Sequence, residues 1–152
     1  MSGHRDAAPA ELVVCTGTVA APLEVVWDLV SDFGGVARWS VGPVNCTVDG
    51  AGVGAIRTVQ RGDQKVRERL EHWDATDHSL SYSFPDELPL PVERLVETIA
   101  VRGGDMSEIT WRARGDVDED DRAVVCRILD RFFTRRIGEL QAIAPRRVAG
   151  RG

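Results

Sequence analysis

The sequence predicts an α+β fold in which a curved, seven-stranded antiparallel sheet wraps one long C-terminal helix. Three observations carry this. The last apolar run, residues 123–144, has the period of an α-helix. Seven strand-like segments precede it, joined mostly by turns too short for a crossover. The connection between the first two strands reads as two short helices.

The terminal run supplies the core. Val125, Ile128, Leu129, Phe132, Phe133, Ile137, Leu140 and Ile143 recur at steps of three and four, so they share one side of a helix. The acidic cluster Asp116, Asp118, Glu119, Asp120 and Asp121 stands before it, and Arg135 and Arg136 lie toward its far end. The helix dipole favours that arrangement. Pro145 is expected to end the helix, leaving residues 145–152 as a flexible basic tail. The apolar arc covers about half the circumference, wider than a flat surface would bury. A curled sheet would bury it.

Taken in order, residues 1–10 are small and polar and read as disordered. Residues 12–19 are rich in β-branched side chains and form the first strand. Leu23, Val26, Trp27, Val30 and Phe33 follow at helical spacing, with Pro22 at the start and Gly34-Gly35 as the stop. Residues 36–39 form a second short helix. Strands follow at 44–48, 55–60, 65–73, 79–84, 95–102 and 106–114. Turn signals punctuate them at Asp49-Gly50, Gly62-Asp63, Asp77 and Gly103-Gly104. Residues 85–91 hold three prolines and form an irregular loop. Residues 11–144 make a single domain.

The totals narrow the function. A chain of 152 residues with 43% hydrophobic content suits one domain with a sizeable core. A net charge of −5 does not encourage nucleic-acid binding. No apolar window is long enough to cross a membrane, so stable insertion is not expected, and residues 1–11 lack a signal-peptide core. Cys15, Cys46 and Cys126 are widely spaced and read as small hydrophobes in a reducing cytosol. His4, His72 and His78 share no ligand spacing with them, so neither a metal nor a cofactor is expected. A homodimer is left open. Residues 50–55 fit GxGxxA, but the segment that follows is a strand. A dinucleotide needs a helix N-terminus there, so these glycines are read as a hairpin turn.

The candidate site comes from strand alternation. If residues 61–64 form the turn, Arg57 faces Glu68 across the ladder, and Val59 faces Val66 on the same side. The opposite side, with Thr58, Gln60, Lys65, Arg67 and Arg69, is the wet one. Glu97 is in phase with Leu95 and Ile99, Tyr82 with Leu80, and Trp111 with Ile109. Arg57, Glu68, Glu97 and Tyr82 would thus converge inside an apolar hollow, the profile of a small-molecule site. Trp39, Val59, Val66, Leu80, Leu95, Ile99, Trp111, Val125, Leu129, Phe132 and Phe133 are its expected apolar lining. A structural reading stands beside the functional one: Arg57–Glu68 as a core ion pair, with Glu97 reaching out at a sheet edge.

Residues 22–33, Trp39, residues 54–58, Glu68-Arg69-Leu70-Glu71 with Trp73-Asp74, and residues 88–92 together resemble the START-like (SRPBCC) helix-grip superfamily. They are most similar to its bacterial polyketide cyclase/dehydrase-like branch, related to plant abscisic-acid receptors and pathogenesis-related allergens. The resemblance runs from about Val13 to Leu140 and departs at Arg94-Leu95, where relatives often carry Asn-Tyr. It implies an elongated cavity between sheet and helix, with Leu88, Pro89, Leu90 and Pro91 as a gate. It implies that Arg57 orients a polyketide chain and that Glu68 reaches the ligand. On this basis the chain is expected to bind a small hydrophobic or aromatic molecule and to cyclise or dehydrate it. Arg57 would hold an enolate or carbonyl oxygen, Glu68 would fix Arg57, and Glu97 with Tyr82 would move protons. The alternatives are a carrier or sensor of a hydrophobic metabolite and a lipid- or protein-interaction module.

Overall fold

Alternating apolar and polar residues build β1 (Ala10–Val19), β2 (Asn45–Asp49), β3 (Ile56–Arg61), β4 (Gln64–Asp74), β5 (Ser79–Ser83), β6 (Glu93–Gly103) and β7 (Ser107–Asp116). The computed structural model describes residues 7–149, and among these the strands form one antiparallel sheet in the order β1-β7-β6-β5-β4-β3-β2. Between β1 and β2 lie α1 (Leu23–Ser31) and a 3₁₀ helix (Val36–Trp39), and α2 (Glu119–Ala149) closes the chain. The register follows the turn: Gly62-Asp63 joins β3 to β4, so Arg57 pairs with Glu68 and Val59 with Val66. Residues 50–55 link the antiparallel β2 and β3 with no helix after them.

Curvature comes from irregular pairing. The register slips between Glu11 and Val13, Leu70 and His72, and Glu93 and Val96, and such bulges bend and twist a strand. Arg94, within the last of them, takes a left-handed φ of 51°. Its guanidinium binds both oxygens of Asp116 and the Ala7 carbonyl, which holds the strained backbone. No helix among the described residues is long and apolar enough to cross a membrane.

The concave face carries Leu70, Leu80, Ile99, Val101, Ile109 and Ala113, all buried against α1 and α2. Along β1 the contact with α2 is direct. A Cβ on Gly17 would come within 2.5 Å of Ile137 Cγ2, so any larger residue there would displace Ile137. The Cys126 thiol donates to the Leu12 carbonyl, the Cys15 thiol to Asp130 and the Gln141 amide to the Thr18 carbonyl. These contacts form a seam along the same edge.

Most strand ends shift by one or two residues from the sequence reading, and three boundaries bear on it. Ala10 already belongs to β1, and residues 1–6 lie outside the described residues. The final helix starts at Glu119, so Glu119, Asp120 and Asp121 form its first turn. The helix also continues through Pro145 to Ala149. Proline within a helix costs about 3 kcal/mol because it removes one backbone donor and crowds the preceding turn. Here Ala144 is fully buried, and Arg147 donates to the Arg38 carbonyl at 3.1 Å, contacts that hold the last turns against the 3₁₀ helix. Residues 150–152 of the expected tail lie outside the described residues.

Candidate functional site

The sheet parts from α2 on the side away from β1, leaving a cavity of about 250 Å³. Its floor is the inner face of β3 and β4, where alternation points Arg57, Val59, Val66 and Glu68 inward. Arg57 Nε donates to Glu68 Oε1 at 2.7 Å and Nη1 to the Phe33 carbonyl at 3.1 Å. The guanidinium lies between two rings, 4.2 Å from the centre of Phe33 and 4.8 Å from that of Tyr82. Burial works against its charge, but Glu68, Tyr82 and Cys46 together outweigh burial and raise the guanidinium pKa. Both residues are buried, at 4% and 7% exposure.

Glu97 does not reach out at a sheet edge. It lies on β6 in the middle of the sheet, opposite Tyr82 on β5, at 2% exposure. The Tyr82 hydroxyl donates to Glu97 Oε1 at 2.6 Å. Desolvation, reinforced by the negative charge of Glu68, pushes the Glu97 pKa up to about 8. Burial and the Glu97 charge likewise raise that of Tyr82 well above the ordinary phenol. The indole of Trp111 draws the Glu97 value down slightly, but its N–H meets no acceptor with hydrogen-bond geometry. The Trp39 N–H is also buried without a partner.

Trp39, Val59, Val66, Leu95, Trp111, Leu129 and Phe132 line the cavity, as do Leu88, Pro89 and Leu90 from the proline-rich loop. Other residues assigned to the lining lie elsewhere. Leu80, Ile99, Val125 and Phe133 belong to the solid core. Alternation gives the buried side of a strand, not how far along it the hollow extends. Pro91 borders a separate depression with Arg94 and Asp116.

Sequence reasoning missed Val36, Arg61, Gln64, Phe84, Ile128 and Arg136, all on the cavity wall. Two signals were available. Arg61 shares the parity of Arg57 and Val59, and Ile128, Phe132 and Arg136 follow one another at steps of four. Arg136 is the larger correction. It is not a surface cation answering the helix dipole: it is 2% exposed and lies 3.9 Å above the Trp39 ring. Its Nη1 donates to Glu139 Oε1 at 2.5 Å and to Ser40 Oγ at 3.3 Å. The other Glu139 oxygen accepts the Val41 N–H at 2.5 Å. Burial and the nearby charge of Arg61 lower the Arg136 pKa to about 10.

Solved structures share this architecture. A solution NMR structure from Thermobifida fusca is 27% identical over 88% of this chain and 93% of that one, with a TM-score of 0.78. The Zhui aromatase/cyclase from a Streptomyces species is 19% identical over 90% and 94%, with a TM-score of 0.68. Norcoclaurine synthase from Thalictrum flavum, in complex with dopamine and hydroxybenzaldehyde, is 17% identical over 93% and 89%, with a TM-score of 0.73. At these last two identities the likeness concerns the fold. A search of curated proteins finds no match. The pattern of the family described as polyketide cyclase/dehydrase and lipid transport matches residues 12–144. That span runs from the first strand through the helix that roofs the cavity. The chain therefore belongs to the polyketide cyclase/dehydrase and lipid transport family, with the helix-grip fold of the SRPBCC superfamily.

Proposed function

We propose that the cavity encloses an apolar or aromatic, polyketide-like molecule and catalyses its cyclisation or dehydration. The supporting observation is the Glu97–Tyr82 pair: a carboxyl buried in the cavity wall, 2.6 Å from a phenol, with a pKa of about 8. Such a group is mostly protonated at neutral pH yet keeps a usable carboxylate fraction, the condition for moving protons in both directions. In a dehydration, the Glu97 carboxylate takes a proton from the carbon beside a ketone. The resulting acid returns it to the departing hydroxyl, which leaves as water. In an aldol-type ring closure, the proton travels from that carbon to the alkoxide formed as the new C–C bond closes. Glu97 ends each cycle as it began.

Arg57 would steady the enolate oxygen. Two of its nitrogens are committed to Glu68 and the Phe33 carbonyl, which leaves Nη2 for a ligand. Those commitments also favour a second reading, a carrier with no chemistry, because most of this guanidinium already serves the fold. Leu88, Pro89 and Leu90 would gate entry in either case. The free thiols of Cys15, Cys46 and Cys126 suit a reducing cytosol, and a bacterial secondary-metabolite route is the setting that fits the family.

Glu97→Gln keeps size and hydrogen bonding but removes the proton exchange. Offered aryl β-hydroxyketones and β-diketones, the variant should bind as the wild type does. Turnover should fall on the order of 10²–10⁴-fold. Unchanged turnover in Glu97→Gln would overturn the assignment of Glu97. Tight binding with no product from the wild type at any pH would favour the carrier.

A further inference from the structure

The cavity has a second polar end that the proton pair does not use. Arg61 closes β3 and Gln64 opens β4, on either side of the Gly62-Asp63 turn, and both line the cavity. Arg136 reaches the same space from α2.

The fixed charges on this wall do not cancel. Arg57 is matched by Glu68, and Arg136 by Glu139. Among the described residues the Arg61 guanidinium has no carboxylate partner and makes no side-chain hydrogen bond. It is half-buried, and its charge bears on that of Arg136. Arg136 in turn commits only Nη1 to protein partners. Two arginines thus line one space with donors left uncommitted to protein partners, and one positive charge has no carboxylate partner. A partly desolvated cation is stabilised by an anion, and a planar oxyanion suits the fork of arginine donors.

We infer that Arg61 and Arg136, with Gln64 beside them, bind the head group of the guest, and that the guest is an apolar or aromatic carboxylate. A cavity of about 250 Å³ is smaller than most drug-sized sites. It suits a ring system with one small planar head rather than a phospholipid. Anchoring the head at the β3–β4 turn would leave the body of the guest toward Tyr82 and Glu97. The inference rests on the enclosed-guest reading above and adds the chemistry of one end of the guest.

The test compares two probes of matched shape, 2-naphthoate and 2-naphthamide, by titration calorimetry at low salt. The wild type should bind the carboxylate at least about tenfold more tightly. Arg61→Gln should remove most of that preference, weakening the carboxylate far more than the amide, while Arg61→Lys should keep part of it. Arg61 sits at an exposed hairpin end, and a thermal melt of each variant confirms folding. Equal affinity for both probes, or a preference that survives Arg61→Gln, would overturn the inference alone. Failure of both probes to bind the wild type would overturn the enclosed-guest reading and the inference together.

Discussion

Two buried ion pairs hold the two walls of the cavity, and they are built differently. Arg57–Glu68 joins neighbouring strands, and its cation makes the outside bond, to the Phe33 carbonyl. Arg136–Glu139 lies within one turn of α2, and its anion makes the outside bond to the backbone, from the Val41 N–H. Carbonyls tolerate a lost partner better than N–H groups, since orphaned buried donors are the rarer case. The sheet pair is therefore the more replaceable of the two as a unit. The helix pair also fixes the exit of the 3₁₀ helix, through Val41 and Ser40.

Breaking one partner gives the largest expected effect. Glu68→Ala should cost about 3–5 kcal/mol in urea unfolding, because it strands the Arg57 charge in the core. Replacing the whole pair, Arg57→Met with Glu68→Leu, should recover most of that loss. The matching replacement Arg136→Met with Glu139→Leu should recover less, since the Val41 donor stays unmet. Equal recovery of the two pairs would erase the distinction between them.

A smaller effect separates Glu97 from both pairs. Its folded pKa, about 8, lies above the ordinary carboxyl value of 4.5, so the folded state holds a proton that the unfolded state has released. Stability from this group is fully present below about pH 4.5. It is lost as pH rises toward 8, at up to ~1.4 kcal/mol per pH unit. Glu97→Gln should flatten that slope in unfolding curves taken between pH 5 and 9. A wild-type slope no steeper than that of Glu97→Gln over this range would show Glu97 to be held ionised.

The smallest effect concerns a surface pair. Arg67 clasps Asp86 with two bonds, at 2.7 and 2.6 Å, where the proline-rich loop begins. Both side chains are in water, so Arg67→Ala should leave unfolding curves unchanged. It should instead speed release of a bound fluorophore in stopped flow. An unchanged release rate would mean that this clasp does not restrain the loop.

The sheet pair was legible in the sequence because a strand offers two faces and a two-residue turn sets the register. Once Gly62-Asp63 was read as the turn, Arg57 had to meet Glu68. Alternation likewise put Tyr82 and Glu97 on the inner face, but the long loop between β5 and β6 sets no register, so their direct pairing emerges only in the structure. The helix pair was not legible, because a wide apolar arc leaves its borders undefined. Arg136 next to Arg135 matches a surface cation as well as a buried one, and only the position of Trp39 decides between them. Pro145 misled for a related reason: a local stop signal was outweighed by burial of Ala144 and by a bond from Arg147 to a distant carbonyl.

The bare backbone at Gly17, pressed against Ile137, makes the first strand act as the spine of a book. Along that edge the covers meet so closely that a methyl group added at position 17 would run into Ile137. The chamber lies at the opposite edge, between the β3–β4 hairpin and the helical rod. A larger residue wedged at position 17 would lift the rod off its spine and alter the shape of a chamber it never touches.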